Sequence, residues 1–110
     1  MRAYLIDELS SRDMAKVEDF LGQHAVPSAL DGIYWGRVSE DLLSEQQYAH
    51  RGCRPHVFAI ETGEDWIKLE FFLRSLADMR CPCAGYATRA QRDFIIRFAH
   101  GMIQDLDLHT

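Results

Sequence analysis

No stretch of this chain stays apolar for the roughly 18 residues that a membrane-spanning helix needs, and no internal repeat or low-complexity run interrupts it. Glycine-rich phosphate loops are also missing: neither G-x-G-x-x-G nor G-x4-G-K-[ST] occurs, so no nucleotide motif is present. There is no G-x-S-x-G nucleophile elbow. Lysine is scarce, with only Lys16 and Lys68 among twelve basic residues, and the formal charge is −5. That balance argues against a broad nucleic-acid surface, which needs clustered cations to neutralise phosphate. The N-terminal Met1-Arg2-Ala3-Tyr4-Leu5-Ile6-Asp7 turns acidic too soon for a secretory signal, so a cytoplasmic protein is expected. Cysteine is limited to three. An odd count does not fit a disulfide framework of the secreted kind. In a reducing compartment it leaves buried thiols, a metal site or redox chemistry.

With 110 residues and 47% hydrophobic composition, the chain is long enough to bury its own core as one domain spanning residues 1–110. Ala3 to Asp7 is expected as a short strand. Ser10 then caps a helix whose buried stripe is Met14, Val17, Phe20 and Leu21, ended by Gly22 and Pro27. The Asp31-Gly32 turn leads into a strand over Ile33 to Val38. Ser39 to Ala49 reads as a short polar helix, in which Ser44-Glu45-Gln46-Gln47 fits a capping box. Val57 to Thr62 and Trp66 to Arg74 form a hairpin around Gly63-Glu64-Asp65. Met79 to Tyr86 is expected as one more strand, interrupted at Pro82 and so at an edge. Thr88-Arg89-Ala90-Gln91 is a second capping box, opening the longest helix, to about Leu106, with Phe94, Ile95, Phe98, Met102 and Leu106 inward. The order β-α-β-α-β-β-(β)-α predicts an α+β fold: a mixed or antiparallel sheet of about four to five strands with two main helices on one face.

Chemistry concentrates in two segments, His50-Arg51-Gly52-Cys53-Arg54-Pro55-His56 and Arg80-Cys81-Pro82-Cys83, with the hairpin between them. Zinc takes four tetrahedral ligands from thiolate and imidazole. Cys81 and Cys83, two apart, point the same way on an extended segment, and Cys53 and His56 have a C-x2-H spacing. Together these four make a Cys3His set, with His50 able to replace His56. A metal there would be structural, and the domain would act through protein contacts rather than catalysis. The same cysteines also fit thiol redox chemistry, because Arg51, Arg54 and Arg80 are neighbouring cations that favour thiolate; Cys81 and Cys83 would form a strained, labile disulfide with Cys53 as resolving thiol. Anion binding is a third possibility, through Arg51, Arg54, Arg80 and Arg89, with the helix N-terminus at Thr88. A metal-free alternative is a homodimer or protein-binding domain whose interface includes Trp66 and Phe72 on the wetter face of the hairpin. Against all of these, cysteine is often simply a small buried hydrophobe.

Overall fold

A computed structural model describes residues 2–110; Met1, the first residue of the acidic-turning N-terminal segment, lies outside them. Three sequence signals set the helices. Ser10 accepts a hydrogen bond from the Asp13 N–H and opens α1 (Ser11–His24). Ser44 and Thr88 each make a complete capping box, with Gln47 and Gln91 reaching back to the cap N–H groups of α2 (Glu45–Ala49) and α3 (Arg89–Asp105). The expected polar helix from Ser39 is therefore two elements: a single 3-10 turn over Glu40–Leu42, then α2. The stronger capping signal at Ser44 decides where the true helix begins.

The fold is α+β, with an entirely antiparallel sheet of seven strands instead of four or five. β1 (Ala3–Ile6), β2 (Val26–Pro27), β3 (Ile33–Arg37), β4 (His56–Thr62) and β5 (Ile67–Glu70) lie in the order β1-β5-β4-β3-β2. β6 (Phe72–Ser75) pairs with the start of β4 and with β7 (Gly85–Tyr86). Three differences from the expected order have physical causes. Val26–Pro27 pairs with Trp35 and Tyr34 as a two-residue strand, and its place at the sheet edge is where proline is tolerated. The long strand expected over Trp66 to Arg74 is broken at Phe71. Between the pairs Ile60–Leu69 and Val57–Arg74, β4 advances three residues and its partner five. That surplus of two preserves the alternation of faces, so Leu69 and Leu73 are both buried. Phe71 spends its backbone sideways, donating to Arg2 O and accepting from Ala87 N. Finally, Met79 to Tyr86 is not a strand except at its last two residues.

Tyr34, Gly36, Phe58, Ile60, Leu69 and Leu73 point to the helices. Phe58 meets Phe98 of α3 edge-on with ring centres 5.8 Å apart, and Phe98 meets Phe20 of α1 at 6.0 Å. Both long helices therefore cover one face, as the sequence predicts. Met14, Val17 and Leu21 from α1 and Ile95, Ala99 and Met102 from α3 complete the core. The opposite face carries Ile33, Trp35, Ala59, Glu61, Lys68, Glu70 and Arg74. Its charges are paired locally, Lys68 with Glu61 at 3.6 Å and Arg74 with Glu70 at 2.7 Å.

Gly32 and Gly36 are fixed by geometry. Gly32 turns the chain into β3 with φ of +75°, a conformation side chains resist. Gly36 sits under the Phe58 ring, and a Cβ there would fall 2.3 Å from it. Gly36→Ala should accordingly destabilise the domain by about 1–3 kcal/mol through overpacking. Urea unfolding of Gly36→Ala, Phe58→Leu and the double variant checks this: the double variant should lose clearly less than the sum of the singles, whereas strict additivity would contradict the contact.

Candidate metal centre

β4 begins where β6 ends. His56 pairs with Ser75, and Leu76 N donates to Pro55 O at 3.0 Å. The loop entering β4 and the loop leaving β6 are thereby set side by side. A 3-10 turn over Arg51–Cys53 folds the first loop, with Cys53 N donating to His50 O at 3.0 Å. Successive turns fold the second: Asp78 N to Ser75 Oγ, Cys81 N to Asp78 O, and Ala84 N to Cys81 O. Cys81 and Cys83 thus converge by turning rather than by sharing one side of an extended strand.

The ligand atoms of His50, Cys53, Cys81 and Cys83 all lie within 4.8 Å of one another. His50 Nδ1 is 3.1 Å from Cys81 Sγ, and Cys53 Sγ is 3.0 Å from the same sulfur. A zinc tetrahedron with ~2.3 Å metal–sulfur bonds has edges of ~3.8 Å, so shifts of about 1 Å, opening the close pairs and drawing in the wide ones, would let the four groups coordinate a metal. The imidazole within this set is that of His50. His56 is placed behind it on β4, only 1% exposed, with Nε2 3.2 Å from Cys83 Sγ and Nδ1 without a partner.

Three thiols this close cannot ionise independently. Burial works against the Cys81 thiolate, but hydrogen bonds from the Cys53 and Cys83 thiols and the Cys83 N–H, with His50 alongside, outweigh it and lower its pKa to about 7. Burial, reinforced by hydrogen bonding to Cys81 and its charge, pushes Cys83 up to about 12. Cys53 is raised mainly by its hydrogen bond to Cys81. His56 is lowered by burial, then by the charges of Arg54 and His50. Of the three thiols, Cys81 is therefore the one that ionises most readily, with Cys53 and Cys83 held in their protonated forms more strongly than free thiols.

The cluster is tied to the helices by a polar chain that the capping-box motifs only half reveal. Gln47 Nε2 donates to Cys83 O at 3.3 Å, and Gln46 Nε2 to Pro82 O at 3.2 Å. Gln91 Nε2 in turn donates to Gln47 Oε1 and to Leu42 O, both at 2.9 Å. Gln47 and Gln91 are buried. Each therefore caps its own helix and links it onward, so the start of α3, the start of α2 and the Cys83 loop form one network. Ser75, buried at the end of β6, likewise donates to Cys53 O and holds the first loop. Neither role has a local sequence signal, since each depends on a partner more than twenty residues away.

The arginines that flank the cysteines in sequence differ in their surroundings. Arg54 is engaged by Tyr48 O at 2.7 Å and by Glu40 at 3.4 Å, with its guanidinium over the Tyr48 ring. Arg51, Arg80 and Arg89 are exposed. Trp66 and Phe72 are half-buried; Phe72 packs edge-on with Tyr86 at 5.3 Å.

Gln47→Leu should cost about 1–3 kcal/mol, because it strands a buried donor on Gln91 and the Cys83 carbonyl together. Exposed Gln46→Ala should stay within about 0.5 kcal/mol. Equal losses in urea unfolding would refute a special role for the Gln47–Gln91 link. Comparison of this chain with protein-family models, with curated proteins and with solved structures finds no match, so its function is read from these side chains alone.

Proposed function

We propose that the domain is a small accessory module built around a structural zinc ion, held by His50, Cys53, Cys81 and Cys83. The observation that carries this is the mutual approach of the four ligand atoms within 4.8 Å. Three thiolates and one imidazole are a donor set that suits zinc. All four ligands come from protein, and Cys81 and Cys83 are buried, which favours a closed structural site over a catalytic one with an open position. The metal would clip the loop before β4 to the loop after β6. His56 and the Gln47 amide would then act as supporting groups around the Cys83 ligand. A domain of this kind works through what it binds. The sheet face free of helices, bordered by Trp66 and Phe72, is the surface proposed for a protein partner or a second copy.

Elemental analysis of untagged protein purified without chelators should give about one zinc per chain, with all three thiols unreactive until unfolding. Chelation should lower Tm by roughly 10 °C or more, and Cys81→Ser should abolish stoichiometric metal. Absence of zinc both as purified and after anaerobic reconstitution would refute the proposal.

The pH dependence has a definite sign. Coordinating thiols must lose their protons. At pH 8 the Cys53 and Cys83 thiols, both raised, still hold theirs, so binding should release about two protons per metal. As pH falls through 7, Cys81 also becomes protonated and the number should rise towards about three. Affinity should weaken accordingly on acidification, by ~100-fold per pH unit near pH 8 and more steeply below 7. Calorimetric titration in buffers of different ionisation enthalpy measures the proton count directly; a pH-independent affinity would exclude thiolate ligation.

A further inference from the structure

We propose that Cys53 and Cys81 are a disulfide-forming pair, so that a hydroperoxide exchanges the metal cross-link between the two loops for a covalent one. This rests on the zinc reading above and adds a modification site to it.

Proximity selects the pair. The sulfurs of Cys53 and Cys81 are 3.0 Å apart, already inside non-bonded contact, and need about 1 Å more to reach a disulfide bond. The alternative read from the sequence, Cys81 with Cys83, closes a tight and strained ring across one intervening residue. Cys83 is also engaged elsewhere: His56 Nε2 lies against its sulfur at 3.2 Å, and Gln47 holds its carbonyl.

Accessibility selects the order of events. Cys81 and Cys83 are 5% and 3% exposed, whereas Cys53 is half-buried on the outer turn. A small oxidant therefore reaches Cys53 first. The Cys53 thiolate attacks one peroxide oxygen; the S–O bond forms, the O–O bond breaks, and the departing hydroxide leaves as water after taking one proton. Cys53 is then a sulfenic acid. The Cys81 thiolate attacks that sulfur; the S–S bond forms, the S–O bond breaks, and a second proton carries the hydroxide away as water. Two thiolates lose two electrons, hydrogen peroxide gains them, and two protons are consumed. The metal is left with two of its four protein ligands and departs.

The new bond joins the same two loops that the zinc joined. Oxidation therefore removes the metal without freeing the loops, and the sheet that carries them stays folded.

The test treats the zinc-loaded, full-length protein with hydrogen peroxide, reading metal release with a colorimetric chelator, intact mass, and the linkage by peptide mapping after alkylation. One zinc should leave per chain with a loss of about 2 Da. The mapped bond should be Cys53–Cys81, with Cys83 alkylated only after unfolding. The oxidised protein should melt above the reduced, chelator-stripped protein. Cys83→Ser should still form the bond, and Cys53→Ser should not; because Cys83→Ser keeps both partners, it decides the matter if Cys53→Ser fails to fold. A Cys81–Cys83 or intermolecular linkage, sulfinic acid without a disulfide, or retained zinc at full oxidation would each overturn the inference. If the untreated protein takes up no metal, the zinc reading fails instead, and the same mapping on the metal-free protein still decides the pairing.

Discussion

The antiparallel pairing of His56 with Ser75 and Val57 with Arg74 is the constraint on which the chemistry depends. It sets the end of one cysteine-bearing loop beside the beginning of the other, although Cys53 and Cys81 are 28 residues apart. Without it, bringing those residues together would cost the closure entropy of the whole intervening chain. The sheet has already met that cost through β4, β5 and β6, so the loops have only to turn inward. The break at Phe71 matters for the same reason. By adding two residues to the strand opposite β4, it moves the end of β6 into register with the start of β4 while leaving Leu69 and Leu73 on the core face.

The polar chain from α3 to the cysteines gives the site a rigid support. Capping boxes are usually local devices that satisfy N–H groups within a single helix. Here the glutamines of two boxes are buried against each other, and one of them continues to the Cys83 carbonyl. A displacement of α2 relative to α3 would leave several buried polar atoms unpaired at once. This ties the position of the second loop to the packing of the longest helix, not to the loop's own short sequence. Supported loops favour metal binding, because ligands held near their final positions lose less entropy when they coordinate.

The two faces of the sheet divide the labour. One carries Phe58, Ile60 and Leu69 into the core beneath α1 and α3. The other keeps charged pairs, Lys68–Glu61 and Arg74–Glu70, on the face shared with Trp35 and Ala59. Among the described residues, no helix is long and apolar enough to cross a membrane. The His50–Cys53–Cys81–Cys83 cluster lies beside the start of β4, where His56 Nε2 meets Cys83 Sγ.

Local sequence determined the elements whose cause is local. The caps at Ser10, Ser44 and Thr88, the turn at Asp31-Gly32, the hairpin around Gly63-Glu64-Asp65 and the inward stripes of α1 and α3 were legible because a cap, a turn residue or a period of 3.6 acts within a few positions. The candidate metal residues were legible as types, since three cysteines and two histidines crowd two short segments. Tertiary structure alone decided which of them meet. C-x2-H spacing favoured His56, but β4 takes His56 into the sheet, behind Cys83, while the 3-10 turn swings His50 towards Cys81. Pairing in space, set by strand register and turns, overrides spacing along the chain. The division of Trp66–Arg74 into two strands, the conversion of Met79–Ala84 into turns, and the junction of Gln47 with Gln91 were likewise invisible, because each is fixed by a backbone or side-chain partner distant in sequence.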